Sequence, residues 1–161
     1  MTSAKNFNKL LNKQQTLKAG MARSQALSFV VNELRRNGHL VSCILTDNNG
    51  LIVAEAVHPR DSKENLSALV ALIDNAGEKI DNYLNVGPVK LSFFITNNNL
   101  VFVKPIHLPY CNEQYNLLAI QKKTILQNLS KTTLKLLGKH ENNIVELMLI
   151  ATKWISKICK D

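Results

Sequence analysis

The residues best suited to chemistry in this sequence are its cysteines and histidines, and their spacing forms no catalytic or metal-binding motif. Cys43, Cys111 and Cys159 are far apart and include no Cys-x-x-Cys pair of the kind that holds zinc or exchanges thiols. The four histidines lack the His-Glu-x-x-His spacing of a metalloprotease. A cysteine nucleophile and a distant histidine can meet in three dimensions, but Cys43 lies in mid-strand between Ser42 and Ile44, where a buried structural thiol is the commoner outcome. We therefore predict no catalytic residue and no metal site.

The acidic residues and the glycines likewise form no reactive pattern. Asp47 lies in an Asp-Asn-Asn-Gly stretch between two apolar runs, and its carboxylate is expected to accept backbone N–H groups within that turn. No pair of carboxylates is spaced for acid–base catalysis. The six glycines are isolated, so neither of the glycine-rich loops that bind phosphate groups is present. We expect a protein that is not an enzyme and uses no cofactor.

The net charge of +8 at pH 7 is concentrated at the two ends of the chain. Residues 1–23 contain five Lys and Arg residues and no acid, residues 24–120 contain seven basic and nine acidic residues, and residues 121–161 contain eight lysines and three acids. Lysine-rich amphipathic ends favour a weak contact with anionic membranes or with nucleic acid. The alternative is that the lysines only keep amphipathic helices in water. Nucleic acid is the less favoured partner, because the aromatic residues of 89–96 are interleaved with a single lysine.

The apolar pattern predicts one domain with helices on both faces of a sheet. A helix is expected over 24–37, a hairpin over 40–56 and a long helix over 62–84. A second hairpin over 89–108 and a strand over 114–121 follow, and both alternating residue sets of the last two strands are apolar, so both sheet faces must be covered. No apolar run approaches the ~18 residues that span a bilayer, and no secretory signal is present at the start, so we expect a cytoplasmic location.

We divide the chain into three parts. Residues 1–23 form a basic arm that is expected to be a weak helix or disordered, and residues 24–137 form the domain itself. Residues 138–161 form an amphipathic helical extension, in a helical tail that begins near Lys122 and meets either a break or a weak point at Gly138.

The long helix is the most informative element, because its apolar sector is too wide for a single partner. At 100° per residue the sector covers about 160°, whereas a helix that lies on one sheet needs only ~100°. One arc holds Leu66, Leu69, Val70, Ile73, Gly77 and Ile80, the flank adds Leu72, Ala76 and Tyr83, and the opposite, solvent-facing side holds Asp74, Glu78, Asp81 and Asn82. The helix is therefore either buried on two sides of one core or shared with another subunit, and we favour the second interpretation.

Four stretches of the sequence resemble the roadblock family, which is named for a dynein light chain. They are "CILTDNNGLIVAEA", "NLSALVALIDNAGEKIDNYL", "VKLSFFITNNNLVFVKPI" and "QYNLLAIQ", within residues 24–137. In that family the first strand ends in an Asp-x-x-Gly hairpin, here Asp47 to Gly50, and an alanine-rich helix follows. The resemblance implies an α+β fold of order α-β-β-α-β-β-β-α, in which a five-stranded antiparallel sheet lies between the long helix on one face and the first and last helices on the other. The basic arm and the C-terminal helix are additions to it.

The resemblance also implies a function. Roadblock proteins are not enzymes; many are scaffolds or regulators of Ras-like small GTPases, and members pair through the edge of the third strand and the long helix. We therefore predict a non-enzymatic scaffold that forms a homodimer, or pairs with a related roadblock protein, and regulates a Ras-like small GTPase. The predicted interface residues are Ala68, Leu72, Asn75, Ala76, Lys79 and Tyr83 on the long helix and Lys90, Ser92 and Phe94 near the third strand. The alternative is an adaptor or dimerisation platform that docks a complex to membrane or nucleic acid through its basic termini.

Overall fold

A computed structural model describes residues 2–13, 21–110, 113–122 and 133–160 of the chain. The helices and strands are α1 (Thr2–Lys13), α2 (Arg23–Asn37), β1 (Leu40–Asp47), β2 (Ile52–Ala56), α3 (Lys63–Leu84), β3 (Ser92–Ile95), β4 (Asn99–His107), β5 (Gln114–Lys122) and α4 (Thr133–Lys160). The strands form one sheet in the order β2-β1-β5-β4-β3, and every neighbouring pair is antiparallel. The predicted α+β class with a five-stranded antiparallel sheet between helices is confirmed.

The hairpin between β1 and β2 is a structural turn. Oδ1 of Asp47 accepts the backbone N–H groups of Asn49 at 2.9 Å and Leu51 at 2.8 Å, as the turn chemistry predicted. Gly50 has a positive φ of 79°, and a Cβ added there would lie 3.2 Å from Cβ of Ala71. A residue without a side chain thus lets the hairpin turn tightly and pack directly against α3.

One face of the sheet is covered by α2, α4 and α1. Its core joins Leu45, Phe102 and Leu117 of the sheet to Val31 of α2 and Met148 of α4, and each of these five side chains is buried. Alternate residues of each strand point to this face, and the residues paired across neighbouring strands there are apolar.

The N-terminal arm is part of this core. We expected a weak helix or a disordered segment, whereas α1 is a helix in which Ala4, Phe7 and Leu11 are buried and contact α2 and α4. The three residues follow i, i+3, i+7 spacing and so share one face. The physical reason for the difference is tertiary: a short helix of 12 residues is marginal alone but is stabilised by packing on α4.

The C-terminal helix α4 continues through Gly138, so that residue ends no helix. The predicted boundary between 137 and 138 falls inside α4, and the predicted helical residues 123–132 lie outside the described ranges. Ile144, Met148, Ala151 and Ile155 are buried against α2 and the sheet, in the predicted helical stripe. The division of the chain into three ranges stays a prediction.

The opposite face of the sheet is covered by α3. Ser62 caps the start of this helix by accepting the N–H of Asn65 at 3.3 Å, and the helix ends at Asn85 with a left-handed φ of 52°. Of its 22 residues, Val70 alone is fully buried, in a cluster with Ile44 and Leu118 of the sheet. Within one chain, α3 is therefore much more exposed than α2 or α4.

Candidate partner-binding surface

The outward flank of α3 is an exposed apolar surface. The side chains of Leu72 and Tyr83 are 68% and 83% exposed. The other predicted helix residues, Ala68, Asn75, Ala76 and Lys79, are also exposed. All six predicted residues thus share a flank that the described part of the chain leaves uncovered, where apolar side chains of this size favour a partner.

Four more apolar residues belong to the same surface and were not in the predicted interface. They are Leu69, Ile80, Leu84 and Val86, each between 37% and 67% exposed. The sequence placed Leu69 and Ile80 in one apolar arc with Val70, but only Val70 of the three is buried against the sheet.

The reason is a rotation of α3 about its own axis. Gly77 faces the segment before β3, where a Cβ would meet Val89 at 3.4 Å. Asp74 and Asp81, predicted on the solvent-facing side with Glu78 and Asn82, are instead half-buried, whereas Glu78 and Asn82 are exposed. A small glycine and a hydrogen-bonded Asp74 are thus turned toward the sheet, and larger apolar residues are turned away from it.

The edge of the sheet adds a second part to this surface. β3 pairs with β4 on one side and is the last strand of the sheet, so the backbone groups of its other side have no ladder partner among the described residues. Phe94 is 45% exposed and pairs with Val101, which belongs to the α3-facing cluster, so Phe94 lies on the same sheet face as α3. Ile95 is 58% exposed, Lys90 is exposed and Ser92 is half-buried. We call the exposed flank of α3 together with Lys90 and β3 the α3–β3 surface.

A cluster that the sequence did not predict connects the start of α2 to the start of β5. Nη2 of Arg23 donates to Oε2 of Glu113 at 3.0 Å and to the hydroxyl of Tyr115 at 2.8 Å, and that hydroxyl donates to the same Oε2 at 2.8 Å. The hydrogen bonds from Tyr115 and Arg23 lower the pKa of Glu113, while burial and the bond to Glu113 raise the pKa of Tyr115. Arg23 also lies beside the Cys159 thiol, whose hydrogen bond raises the pKa of Arg23. The cluster fastens α2 and the end of α4 to the sheet.

Three lysines in the C-terminal half of α4 form an exposed stripe on the sheet face opposite α3. Lys153, Lys157 and Lys160 follow i, i+4, i+7 spacing and are all exposed, and Nζ of Lys157 lies 5.3 Å from the ring centre of Trp154. We call these three residues the α4 lysine stripe.

Two chemical possibilities find no support in the described part of the chain. Its His, Cys, Asp and Glu side chains form no group of three or more that could hold a metal ion. Cys43 is fully buried, and burial raises the pKa of its thiol to about 12, so it is a neutral core residue at ordinary pH.

Among the described residues, no helix has the length and apolarity needed to cross a bilayer.

Comparison with known proteins identifies the fold. No protein-family model and no curated protein matches the sequence. Among solved structures, Myxococcus xanthus MglB has a TM-score of 0.64 at 15% identity, covering 85% of this chain and 90% of that one. An MglB structure with a tetrameric arrangement has a TM-score of 0.54 at 17% identity, covering 83% and 93%. A Roadblock/LC7 domain from Streptomyces avermitilis has a TM-score of 0.54 at 15% identity, covering 78% and 92%. The chain has the roadblock fold, as its sequence predicted.

Proposed function

We propose that this protein is a non-enzymatic, cytoplasmic scaffold that self-associates through the α3–β3 surface and regulates a Ras-like small GTPase. The observation that carries the proposal is the coincidence of an apolar helix flank with a free sheet edge. β3 has only four residues, but its backbone edge and the exposed side chains of Phe94 and Ile95 together offer a second strand both hydrogen bonds and apolar contact. A second copy that adds its own β3 would pair the edge and cover Phe94, Leu72 and Tyr83 at once.

Self-association is also supported by a protein of the same fold. One MglB structure is described as having a tetrameric arrangement, and the proposal carries a symmetric assembly over to this chain. A two-fold axis beside β3 would bring the same patch of each subunit together, as an isologous interface requires. A related roadblock protein is the second partner that would satisfy the same geometry.

The GTPase part of the proposal rests on the roadblock resemblance and fold. The predicted contact flank is Ala68, Leu72, Asn75, Lys79 and Tyr83, which mixes apolar, amide and cationic side chains. In the dimer a second copy would cover Leu72 and Tyr83, so Asn75 and Lys79 would carry the contact with the GTPase. No catalytic group is proposed on this flank. The regulation would therefore be geometric, by holding the switch segments of the GTPase in one conformation.

The dimer is tested by a double substitution on the surface. Leu72→Asp with Tyr83→Asp places two charges where an apolar contact is proposed, and we expect the mass in solution, measured by light scattering after gel filtration, to fall from dimer to monomer. The matched control is Leu51→Asp with Leu149→Asp, since these residues are 66% and 46% exposed and lie outside the surface. An unchanged mass in the first variant, or equal dissociation in the control, would refute the interface.

The GTPase is tested by affinity capture with the purified protein from a lysate of its own organism, in GDP or in a nonhydrolysable GTP analogue. We expect a small GTPase to be enriched in one nucleotide state. Lys79→Glu, a change outside the apolar part of the flank, should weaken capture while the mass of the dimer is retained. Equal capture in both nucleotide states, or no GTPase at all, would contradict this part and leave the dimer untouched.

The α4 lysine stripe supports a second candidate function, in which the protein is an adaptor on anionic membranes. The three lysines share one exposed helix face, and anionic lipid attracts such a face by about 1 kcal/mol per lysine. Replacing Lys153, Lys157 and Lys160 by Gln should abolish salt-sensitive sedimentation with phosphatidylserine vesicles. Arg60→Gln, Lys63→Gln and Lys122→Gln together remove the same charge elsewhere and should not. Binding to DNA rather than to vesicles would favour the nucleic-acid form of the adaptor.

A further inference from the structure

A groove of about 110 Å³ lies between the C-terminal half of α3 and the strands β3 and β4. It opens on the flank of α3 that faces away from Leu72 and Tyr83, because Asp74 and Asp81 line it and lie on the other side of the helix. Its volume is well below the ~300 Å³ of a typical small-molecule or cofactor site. The groove therefore has room for one long side chain.

The walls of the groove are mostly apolar. They are formed by Ile73, Gly77, Pro88, Val89, Val103 and Pro105, together with the polar residues Ser92, His107 and Gln114. Gly77 keeps the groove open, because a larger side chain at this position of α3 would project toward Val89 and fill it. Such walls suit the methylene groups of an extended side chain and give a short polar ligand little to contact.

The rim of the groove is acidic. Asp74, Glu78 and Asp81 follow i, i+4, i+7 spacing along α3, and all three line the groove. Asp74 accepts two hydrogen bonds from Gln114, but no ion pair between described residues involves any of the three carboxylates. The groove thus has three carboxylates at its opening, and among the residues that line it His107 is the one with a basic side chain.

Two buried polar atoms lie beside the groove, on the same sheet face. Asn116 lies two residues from Gln114 on β5 and pairs with Pro105 on β4, so it shares the sheet face of these two groove residues. Oδ1 of Asn116 and Oγ1 of its other cross-strand neighbour, Thr46, are buried and have no hydrogen-bond partner among the described residues. Neither residue lines the groove, so recognition of a cation there falls to the carboxylates at its rim.

From these features we propose that the groove is a docking site for an arginine side chain of a partner protein. The arginine stem would lie along the apolar walls, and the guanidinium, with five donors in a planar fork, would meet the carboxylates of Glu78 and Asp81. Lysine fits the charge but supplies a more compact, more strongly hydrated group with fewer donors. The carboxylates of the site lie on the opposite flank of α3 from Leu72 and Tyr83, although Ser92 belongs both to the groove and to the α3–β3 surface. The proposal requires neither the dimer nor a GTPase.

The test is a titration of the isotopically labelled full chain, followed by the amide resonances of Gly77, Val89, Val103 and Gln114. The probe is the capped tripeptide Ala-Arg-Ala, and the neutral comparison is the same peptide with norleucine in place of arginine. We expect the arginine peptide to shift these four resonances together and saturably, and the norleucine peptide to bind at least tenfold more weakly.

Two double variants decide whether the groove is responsible. Glu78→Gln with Asp81→Asn should weaken the arginine peptide at least fivefold, whereas Glu55→Gln with Glu146→Gln removes two exposed charges elsewhere and should leave its affinity unchanged. Asp74 is left in place because it is bonded to Gln114. Shifts that do not saturate, that are equal for norleucine, or that persist in the groove variant would overturn the proposal. Tighter binding of spermidine than of the peptide would also overturn it and assign the groove to a small polyamine.

Discussion

Nε2 of Gln114 donates to both carboxylate oxygens of Asp74, each at a distance of 3.1 Å. This contact joins the first residue of β5 to the middle of α3, a helix in which Val70 alone is fully buried. A side-chain bond to a charged group therefore supplements a small apolar contact area. It also fixes the rotation of α3 that turns Leu69, Leu72 and Ile80 away from the sheet.

Replacing Gln114 with Ala should loosen α3 selectively. Loss of a hydrogen bond to a charged group costs about 1.5–3 kcal/mol, and partial exposure of this pair puts the expected loss near the lower value. Hydrogen exchange should show amide protection falling in α3 and unchanged in β1 and α2. Asn82→Ala on the exposed side of α3 is the control. A uniform fall over the whole protein would show that the bond has no special role in holding α3.

Phe7→Ala should destabilise the entire domain, because the side chain of Phe7 on α1 is fully buried in the core. Removal of a buried aromatic ring costs about 3–5 kcal/mol in the free energy of unfolding. Leu10→Ala is the control on the same helix, where the side chain is 39% exposed and the cost should stay below about 1 kcal/mol. Urea unfolding measures the free energy of unfolding of both variants. Equal and small losses in the two variants would show that α1 contributes little to the stability of the domain.

Phe94→Lys should block self-association with little effect on the fold of one chain. A lysine on an edge strand opposes pairing with a second strand, and Phe94 is 45% exposed within one chain. We expect the dimer dissociation constant, from sedimentation equilibrium, to rise at least tenfold, while monomer stability changes by under ~1 kcal/mol. Leu51→Lys, beside the other edge strand β2, should leave the constant unchanged. The interface lies elsewhere if both variants behave alike.

The stability of the domain should fall at high pH because of Cys43. Burial raises the pKa of its thiol from an ordinary value of 9.0 to about 12. Between these values the unfolded chain loses the proton and the folded chain keeps it, so the stabilisation is complete below pH 9 and declines as the pH rises toward 12. The slope from this group is about 1.4 kcal/mol per pH unit. Unfolding measured at pH 8 and pH 10.5 should show a smaller decline in Cys43→Ala than in the native chain; an identical decline would exclude Cys43 as the source.

The sequence was sufficient for the sheet and for an apolar sector of α3 wider than the sheet can cover. Asp47 and Gly50 specify a hairpin through local chemistry, and alternation in β4 and β5 requires cover on both faces, so neither conclusion depends on distant contacts. The width of the α3 sector likewise follows from spacing alone, and part of that sector, including Leu72 and Tyr83, is exposed in the structure.

The rotation of α3 could not be read from the sequence. A sector of about 160° leaves open which part faces the sheet, and that choice depends on Gly77 meeting Val89 and on Asp74 meeting Gln114, two contacts between distant segments. For the same reason the groove had no sequence signal. Phe7 and Leu11 of α1 did carry a helical pattern, but so short a stripe becomes stable only when α4 supplies its contacts.

The packing of α1 and α4 on the same sheet face has a consequence for synthesis on the ribosome. The chain emerges from its N-terminus, so Phe7 and Leu11 and the apolar faces of β1, β4 and β5 are made before the buried residues of α4. Until α4 has left the exit tunnel, this face of the sheet lacks part of its cover. A nascent chain in which β5 has emerged and α4 has not therefore exposes an apolar sheet face, the kind of surface that chaperones bind.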